Sequence, residues 1–291
     1  MKKLDFIGLG AQKAGTSWIH ACLYEHPHIC MPASKEIHFF SKYYAEGMRW
    51  YEAHFQACGC ERVIGEFSPT YLYSPEAPKR MYEYNPQLKL IVCLREPVAR
   101  TVSAYRYAIQ TRRLSSTVRF ADVIREHPAY IEHSLYTAQL ERYLQYFSRD
   151  QILITLYEDI ALDAYRFMQE IYRFLEVDWR FRPAMADQKV NVSRGIPRVD
   201  SLDRFMQRLA ASLRQVGLGH VVWTLGRSRA VEGLRRLNTR PSVSQPLSEA
   251  QRAALQKIFA PDVYTLATLL QKDLRERWFD YEGVLARGAH G

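Results

Sequence analysis

Short apolar runs alternate with amphipathic stretches along the first two-thirds of the chain. Residues 4–9 (LDFIGL), 63–67, 88–94 (LKLIVCL) and 151–157 (QILITLY) read as short strands, the clearest being the apolar run 88–94, in the manner of buried parallel strands. Helices are predicted between them over 16–24, 74–84, about 97–109, in two pieces between 120 and 147, and over 163–175. In the first of these Trp18, Ile19, Cys22 and Leu23 recur at helical spacing, and His26-Pro27 stops the helix. Pro97 suits a first helical turn, where its missing N–H is not needed. Strands alternating with helices imply an α/β fold: a parallel three-layer sheet flanked by helices and wound with right-handed crossovers. The strand signal stops near 187. Beyond it come a loop, an arginine-rich helical segment to about 237, a Pro/Ser loop over 241–246, and helices over 248–259 and 263–277. The expectation is a single domain, 1–291, with an α/β core over 1–190 and a loop and helical subregion over 191–291.

A chain of 291 residues, 47% hydrophobic and 24% charged, is long enough to bury one large core. No repeat or low-complexity tract interrupts it. The apolar run at the N-terminus, MKKLDFIGLG, is broken by Asp5 and is too short for a signal segment. No stretch approaches the roughly 18 apolar residues of a membrane span. Of the five cysteines only Cys58 and Cys60 are close, so reduced structural thiols and a cytoplasmic location are expected, and no zinc site. The net charge of +9 and isoelectric point near 9.3 suit anionic partners. Ten arginines stand between 194 and 240 against Asp200, Asp203 and Glu232, either as a solvated helical face or as an anion-binding patch.

The turn after the first predicted strand, Gly10-Ala11-Gln12-Lys13-Ala14-Gly15-Thr16-Ser17, opens a helix, and a helix start is an anion site because free N–H groups and the dipole face the ligand. Its glycines have the spacing of the NTPase pattern G-x-x-x-x-G-K-[ST], but Thr16 stands where the lysine belongs and the lysine lies three positions earlier, at Lys13. A γ-phosphoryl group needs Mg²⁺ and a lysine over the β/γ-phosphates. A singly charged sulfuryl group on one phosphate needs less neutralisation and no metal. A lysine inside the loop can reach the bridging oxygen where charge develops.

At this point the chain resembles the sulfotransferases that use 3′-phosphoadenosine 5′-phosphosulfate (PAPS). GAQKAGTSWIHACLYEHPHI is similar to their 5′-phosphosulfate loop and helix, and LKLIVCLREPVARTVSAYRYAI to their 3′-phosphate strand, turn and helix. KEIHFF and GEFSPTYL occur in the order found in heparan sulfate sulfotransferases and their bacterial relatives. The resemblance covers about 5–198 and implies a P-loop-like fold, with a nucleotide-binding core over 1–190 and a nucleotide-covering loop beyond it. It also implies that Lys13, Ala14, Gly15, Thr16 and Ser17 hold the 5′-phosphosulfate, and Arg95 and Ser103 the 3′-phosphate. The planar fork of Arg95 suits a phosphate. Ser193-Arg194-Gly195-Ile196-Pro197-Arg198 resembles the basic loop that closes over the nucleotide, which assigns Arg194, Gly195 and Arg198 to it. The implied partners are PAPS or adenosine 3′,5′-bisphosphate and an acceptor bearing a hydroxyl or amine.

Sulfuryl transfer needs a base for the acceptor proton, a contribution of ~10²–10⁴-fold in such steps. In Lys35-Glu36-Ile37-His38-Phe39-Phe40 an extended backbone would put Glu36 and His38 on one face and Ile37 and Phe39 on the other. The resemblance implies Glu36 as base, with His38 orienting the acceptor or the base, or serving as base itself. Heparan-type relatives carry a lysine at the position of Phe67, so a heparan-like acceptor is not assumed. Glu66 is either a polar strand end or a second site carboxylate. Tyr43, Tyr44, Trp50 and Tyr51 either line an acceptor cleft or pack in the core. Two other function classes compete. A kinase or NTPase on the same sheet is disfavoured by Thr16. A basic adaptor for nucleic acid or another polyanion would use the 194–240 arginines, but no nucleic-acid motif accompanies them.

Overall fold

The computed structural model describes residues 3–32, 34–59, 63–115, 117–187, 196–197, 239–240 and 247–279. Five parallel strands form one sheet: β1 (Phe6–Gly10), β2 (Ile29–Cys30), β3 (Val63–Phe67), β4 (Lys89–Leu94) and β5 (Ile152–Leu156), in the order β2-β3-β1-β4-β5. Helices flank it: α1 (Thr16–Glu25), α2 (Met48–Ala53), α3 (Ala77–Tyr84), α4 (Pro97–Gln110), α5 (Phe120–Glu126), α6 (Ala129–Glu132), α7 (Thr137–Leu144), α8 (Tyr157–Leu162) and α9 (Ala164–Phe174). Near the end come α10 (Glu249–Leu270) and α11 (Arg275–Trp278). A two-stranded antiparallel ribbon pairs β6 (Ile196–Pro197) with β7 (Thr239–Arg240). Among the described residues no helix is long and apolar enough to cross a membrane.

The strands are buried because their runs are apolar on both faces. Every residue of β1 is buried. Its register puts Ile7 opposite Glu66 and Gly8 opposite Phe67. Gly8 is required there, since a Cβ would lie 2.3 Å from the Phe67 ring. The chain winds from β1 outward to β2, returns to β3 beside β1, and crosses to β4 on the far side. That reversal creates a crevice at the carboxyl ends of β1 and β4, the place where such sheets bind ligands.

Four expectations change. Three helices, not two, lie between 120 and 147. The C-terminal helices expected over 248–259 and 263–277 divide differently: α10 runs unbroken through Pro261 to Leu270, and the end of the second becomes α11. Leu255, Phe259, Val263, Leu266 and Leu270 form one buried stripe across the proline, and Asp262 accepts from the N–H groups of Tyr136 and Thr137 at the start of α7. Tertiary burial thus outweighs the lost N–H bond. The strand β2 is too short to show in the pattern.

The fourth change concerns the thiols. Cys30 and Cys58 form a disulfide, 28 residues apart, in place of the expected reduced pair. Cys60, taken with Cys58 in the sequence reading, lies outside the described residues. Cys30 leaves β2 and Cys58 precedes β3, and these strands are paired, so the fold itself brings the two sulfurs together. Disulfides persist in oxidising compartments, so the cysteines no longer argue for a cytoplasmic location. Loop-closure entropy for this spacing predicts that reduction or Cys30→Ser costs about 3–4 kcal/mol of stability. A lower urea midpoint with reductant is the expected reading, and equal midpoints would contradict the crosslink.

Candidate active site

Because all five strands are parallel, the turns that follow them open on one edge of the sheet. The turn after β1 is held at its base by the Ala11 N–H, which donates to the Cys93 carbonyl of β4 (2.8 Å). It then doubles back through positive φ at Lys13 (74°) and Gly15 (80°). A side chain at Gly15 would be strained twice, by that φ and by a Cβ 3.0 Å from the Tyr157 ring. The N–H groups of Gly15, Thr16 and Ser17 have no protein acceptor among the described residues. Those unpaired donors at the start of a ten-residue helix fit an anionic group.

Arg95, at the end of β4, reaches the same turn. Its Nη1 donates to the Lys13 carbonyl (3.0 Å) across 82 residues of sequence, and its guanidinium lies 4.4 Å from the Tyr157 ring centre. Glu96 does not pair with it. The Glu96 carboxylate instead caps α4, accepting from Val98 N (2.8 Å) and Ala99 N (2.6 Å), which leaves the arginine fork unclaimed by its neighbour. The Lys13 ammonium stands 3.9 Å from the ring centre of Tyr107 on α4, one helical turn beyond the half-buried Ser103. Burial, then Arg95 and Lys35, lowers the Lys13 pKa to about 8. These contacts bring Lys13, Arg95 and the turn through Gly15, Thr16 and Ser17 together, with Ala14 buried beneath the turn and Ser103 one helical turn from Tyr107 on α4. Arg194, Gly195 and Arg198 lie outside the described residues.

The KEIHFF segment is not extended. Glu36 and His38 both take left-handed φ, 66° and 57°, while Ile37 and Phe39 are buried. The two polar side chains still meet, by a tighter path than a strand: His38 Nε2 is 3.6 Å from Glu36 Oε2. His38 Nδ1 lies 2.8 Å from Thr70 Oγ1, which is 2.9 Å from Ser41 Oγ. Burial would raise the Glu36 pKa, but the nearby His38 ring and the Lys35 ammonium outweigh it and hold it at about 2.

Lys35 is the site residue that sequence reasoning passed over, treating it only as a surface partner for Glu36. Its Nζ donates to Glu36 Oε1 (2.7 Å) and to Ser17 Oγ (2.9 Å), so it joins the anion-binding turn to the carboxylate. A lysine beside a candidate carboxylate was the available signal. Two other open questions resolve toward packing. Tyr51 is fully buried and stacks on Phe39 at 4.5 Å, whereas Tyr43 remains exposed. Phe67 turns into the sheet interior against Gly8, and Glu66 is fully buried on the opposite face of its strand.

The chain matches the sulfotransferase domain family over residues 3–194. It is 38% identical over 109 residues to the membrane-associated sulfotransferase kil1 of Dictyostelium discoideum, covering 36% of this chain and 23% of that protein. It is 29% identical over 182 residues to heparan sulfate glucosamine 3-O-sulfotransferase 5 of Mus musculus, covering 58% of this chain and 52% of that enzyme. The chain thus spans about half, or less, of the length of these curated relatives. Among solved structures, a sulfotransferase from Alicyclobacillus acidocaldarius superposes with a TM-score of 0.70 at 26% identity, covering 96% of this chain and 99% of that one.

The electrostatics of Glu36 can be tested without any substrate. Its folded pKa of about 2 lies below the ordinary glutamate value of 4.5, so its ionised form adds stability that is present above pH 4.5 and lost as pH falls toward 2. Glu36→Gln should therefore lower the urea midpoint at pH 7 and narrow that deficit progressively below pH 4.5. A deficit independent of pH would contradict the ion pair with Lys35 and the influence of the neighbouring His38.

Proposed function

As the chain belongs to the sulfotransferase domain family, we propose that it transfers a sulfuryl group from PAPS to a hydroxyl or amine of a glycan, lipid or small-molecule acceptor. Glu36 is the general base, Lys13 stabilises the leaving phosphate, and His38 orients the base. The observation that carries this reading is the Lys35 bridge, which sets the carboxylate of Glu36 beside a turn whose amides await an anion.

When bound, PAPS supplies a sulfuryl group on a phosphate leaving group. The amides of Gly15, Thr16 and Ser17 and the side chains of Lys13, Thr16 and Ser17 would hold its 5′ end, with Ala14, whose own N–H donates to the Ala11 carbonyl (3.1 Å), shaping the turn, and Arg95 and Ser103 would hold its 3′-phosphate. Arg194, Gly195 and Arg198 would close over the nucleotide from the 191–291 region. Glu36 takes the acceptor proton. At a pKa of about 2 it is a weak base while Lys35 and His38 both engage it. Lys35 also contacts Ser17, so an anion at the turn competes for the lysine and frees the carboxylate to bind a proton. The Lys13 ammonium swings from the Tyr107 ring toward the turn. In a site with little water its charge acts at high strength where negative charge develops. Phe67 supplies no cation for an acidic sugar, which separates this acceptor site from the heparan type.

Labelled sulfate transfer from PAPS, screened over glycan, lipid and small-alcohol acceptors, tests the activity. Lys13→Ala and Glu36→Gln should each lower kcat by about 10²-fold or more while the fold persists. Wild-type rates in both would overturn the roles. Adenosine 3′,5′-bisphosphate should raise the melting temperature without Mg²⁺, whereas Mg-ATP should do little. Because an anion raises the Lys13 pKa, binding takes up a proton, and affinity should fall as pH rises through about 8. Lys13→Ala should flatten that fall.

A further inference from the structure

The mechanism above leaves one buried ionisable group unused. Glu66 is fully buried, and among the described residues no lysine or arginine pairs with it. A lone buried carboxylate is costly unless its oxygens are satisfied. Here three hydroxyls do so: Ser68 Oγ donates to Oε2 (2.6 Å), and Tyr71 (2.6 Å) and Tyr51 (3.0 Å) donate to Oε1. Burial drives the carboxyl pKa up, and the same three donors oppose that rise.

The partners of Glu66 surround the segment that carries the base. Glu36 and His38 both have left-handed backbones, a conformation that is sterically unfavourable for a residue with a side chain. Such conformations persist only where the surroundings impose them. Two hydrogen bonds impose these. Glu36 N donates to the Phe67 carbonyl (3.2 Å) and His38 N donates to Ser68 Oγ (3.0 Å). The Ser68 hydroxyl has one proton, and giving it to Glu66 aims its lone pairs at the His38 N–H. On the other flank Phe39 and Phe40 pack on Tyr51, with ring centres 4.5 and 5.1 Å apart, and the Tyr51 hydroxyl ends on the same carboxylate.

We propose that Glu66 is a positioning residue for the transfer: through Ser68 it fixes the backbone at His38, and so the aim of the Glu36–His38 pair. The Ser68 arm sets that geometry, while the Tyr71 arm serves stability. This inference rests on Glu36 being the base.

The test uses the intact chain with the best acceptor from the screen. Ser68→Ala and Glu66→Gln should each lower kcat by about tenfold or more, a cost in line with small misplacements of reacting groups. The KM for PAPS and the affinity for adenosine 3′,5′-bisphosphate should stay within about twofold of wild type. The double variant should be no slower than the slower single one, since both break one path. Tyr71→Phe should unfold at a lower temperature yet keep its kcat. A Ser68→Ala enzyme with the wild-type kcat, an additive double variant, or equal losses in kcat and nucleotide affinity would each overturn the proposal. If Glu66→Gln does not fold, Ser68→Ala decides alone. Loss of the base assignment reads differently: Glu36→Gln would then keep its rate, whatever Ser68→Ala does.

Discussion

A helix start with unpaired amides is an unfinished electrostatic structure, and three cations around the first turn of α1 make it more so. Lys13, Arg95 and Lys35 approach Gly15 to Ser17 from the loop itself, from the end of β4 and from the segment after β2. Like charges at such spacing repel, and the lowered pKa of Lys13 records its burial first and that repulsion after it. An anion removes the conflict by giving each cation a partner. Anion binding at this turn is, in this reading, the relief of a built-in excess of positive charge.

The segment over 35–40 is organised by a different device. It is neither helix nor strand, and Glu36 and His38 sit in a backbone form that glycine would adopt more readily. Hydrogen bonds to Phe67 and Ser68, burial of Ile37 and Phe39, and the Cys30–Cys58 crosslink at the foot of the excursion hold it in place. Rigidity here serves orientation. Lys35 spans the two halves, joining Ser17 of the turn to the Glu36 carboxylate.

Much of the fold was legible because its signals are local. The strand over 63–67 matches β3 residue for residue, and the predicted helix starts at Thr16 and Pro97 fall where α1 and α4 begin. The two phosphate-type motifs could be paired on paper only by resemblance; contact between Arg95 and the Lys13 carbonyl is a property of the folded chain. Lys35 was visible yet undervalued, because a lysine next to a glutamate is ordinarily a solvated pair. Its second contact, to Ser17, depends on how the segment after β2 returns over α1.

By itself the amino-acid sequence determined the alternation of strand and helix, the phosphate-type turn and its displaced lysine, because periodicity and turn chemistry act over a few residues. Tertiary structure alone decided the rest. It set the left-handed backbones of Glu36 and His38, the Cys30–Cys58 pairing, the passage of α10 through Pro261 and the burial of Glu66. Each of these is locally unfavourable or locally undetermined. Each is held by groups far away in sequence, whose burial and hydrogen bonds exist only once the sheet has closed around them.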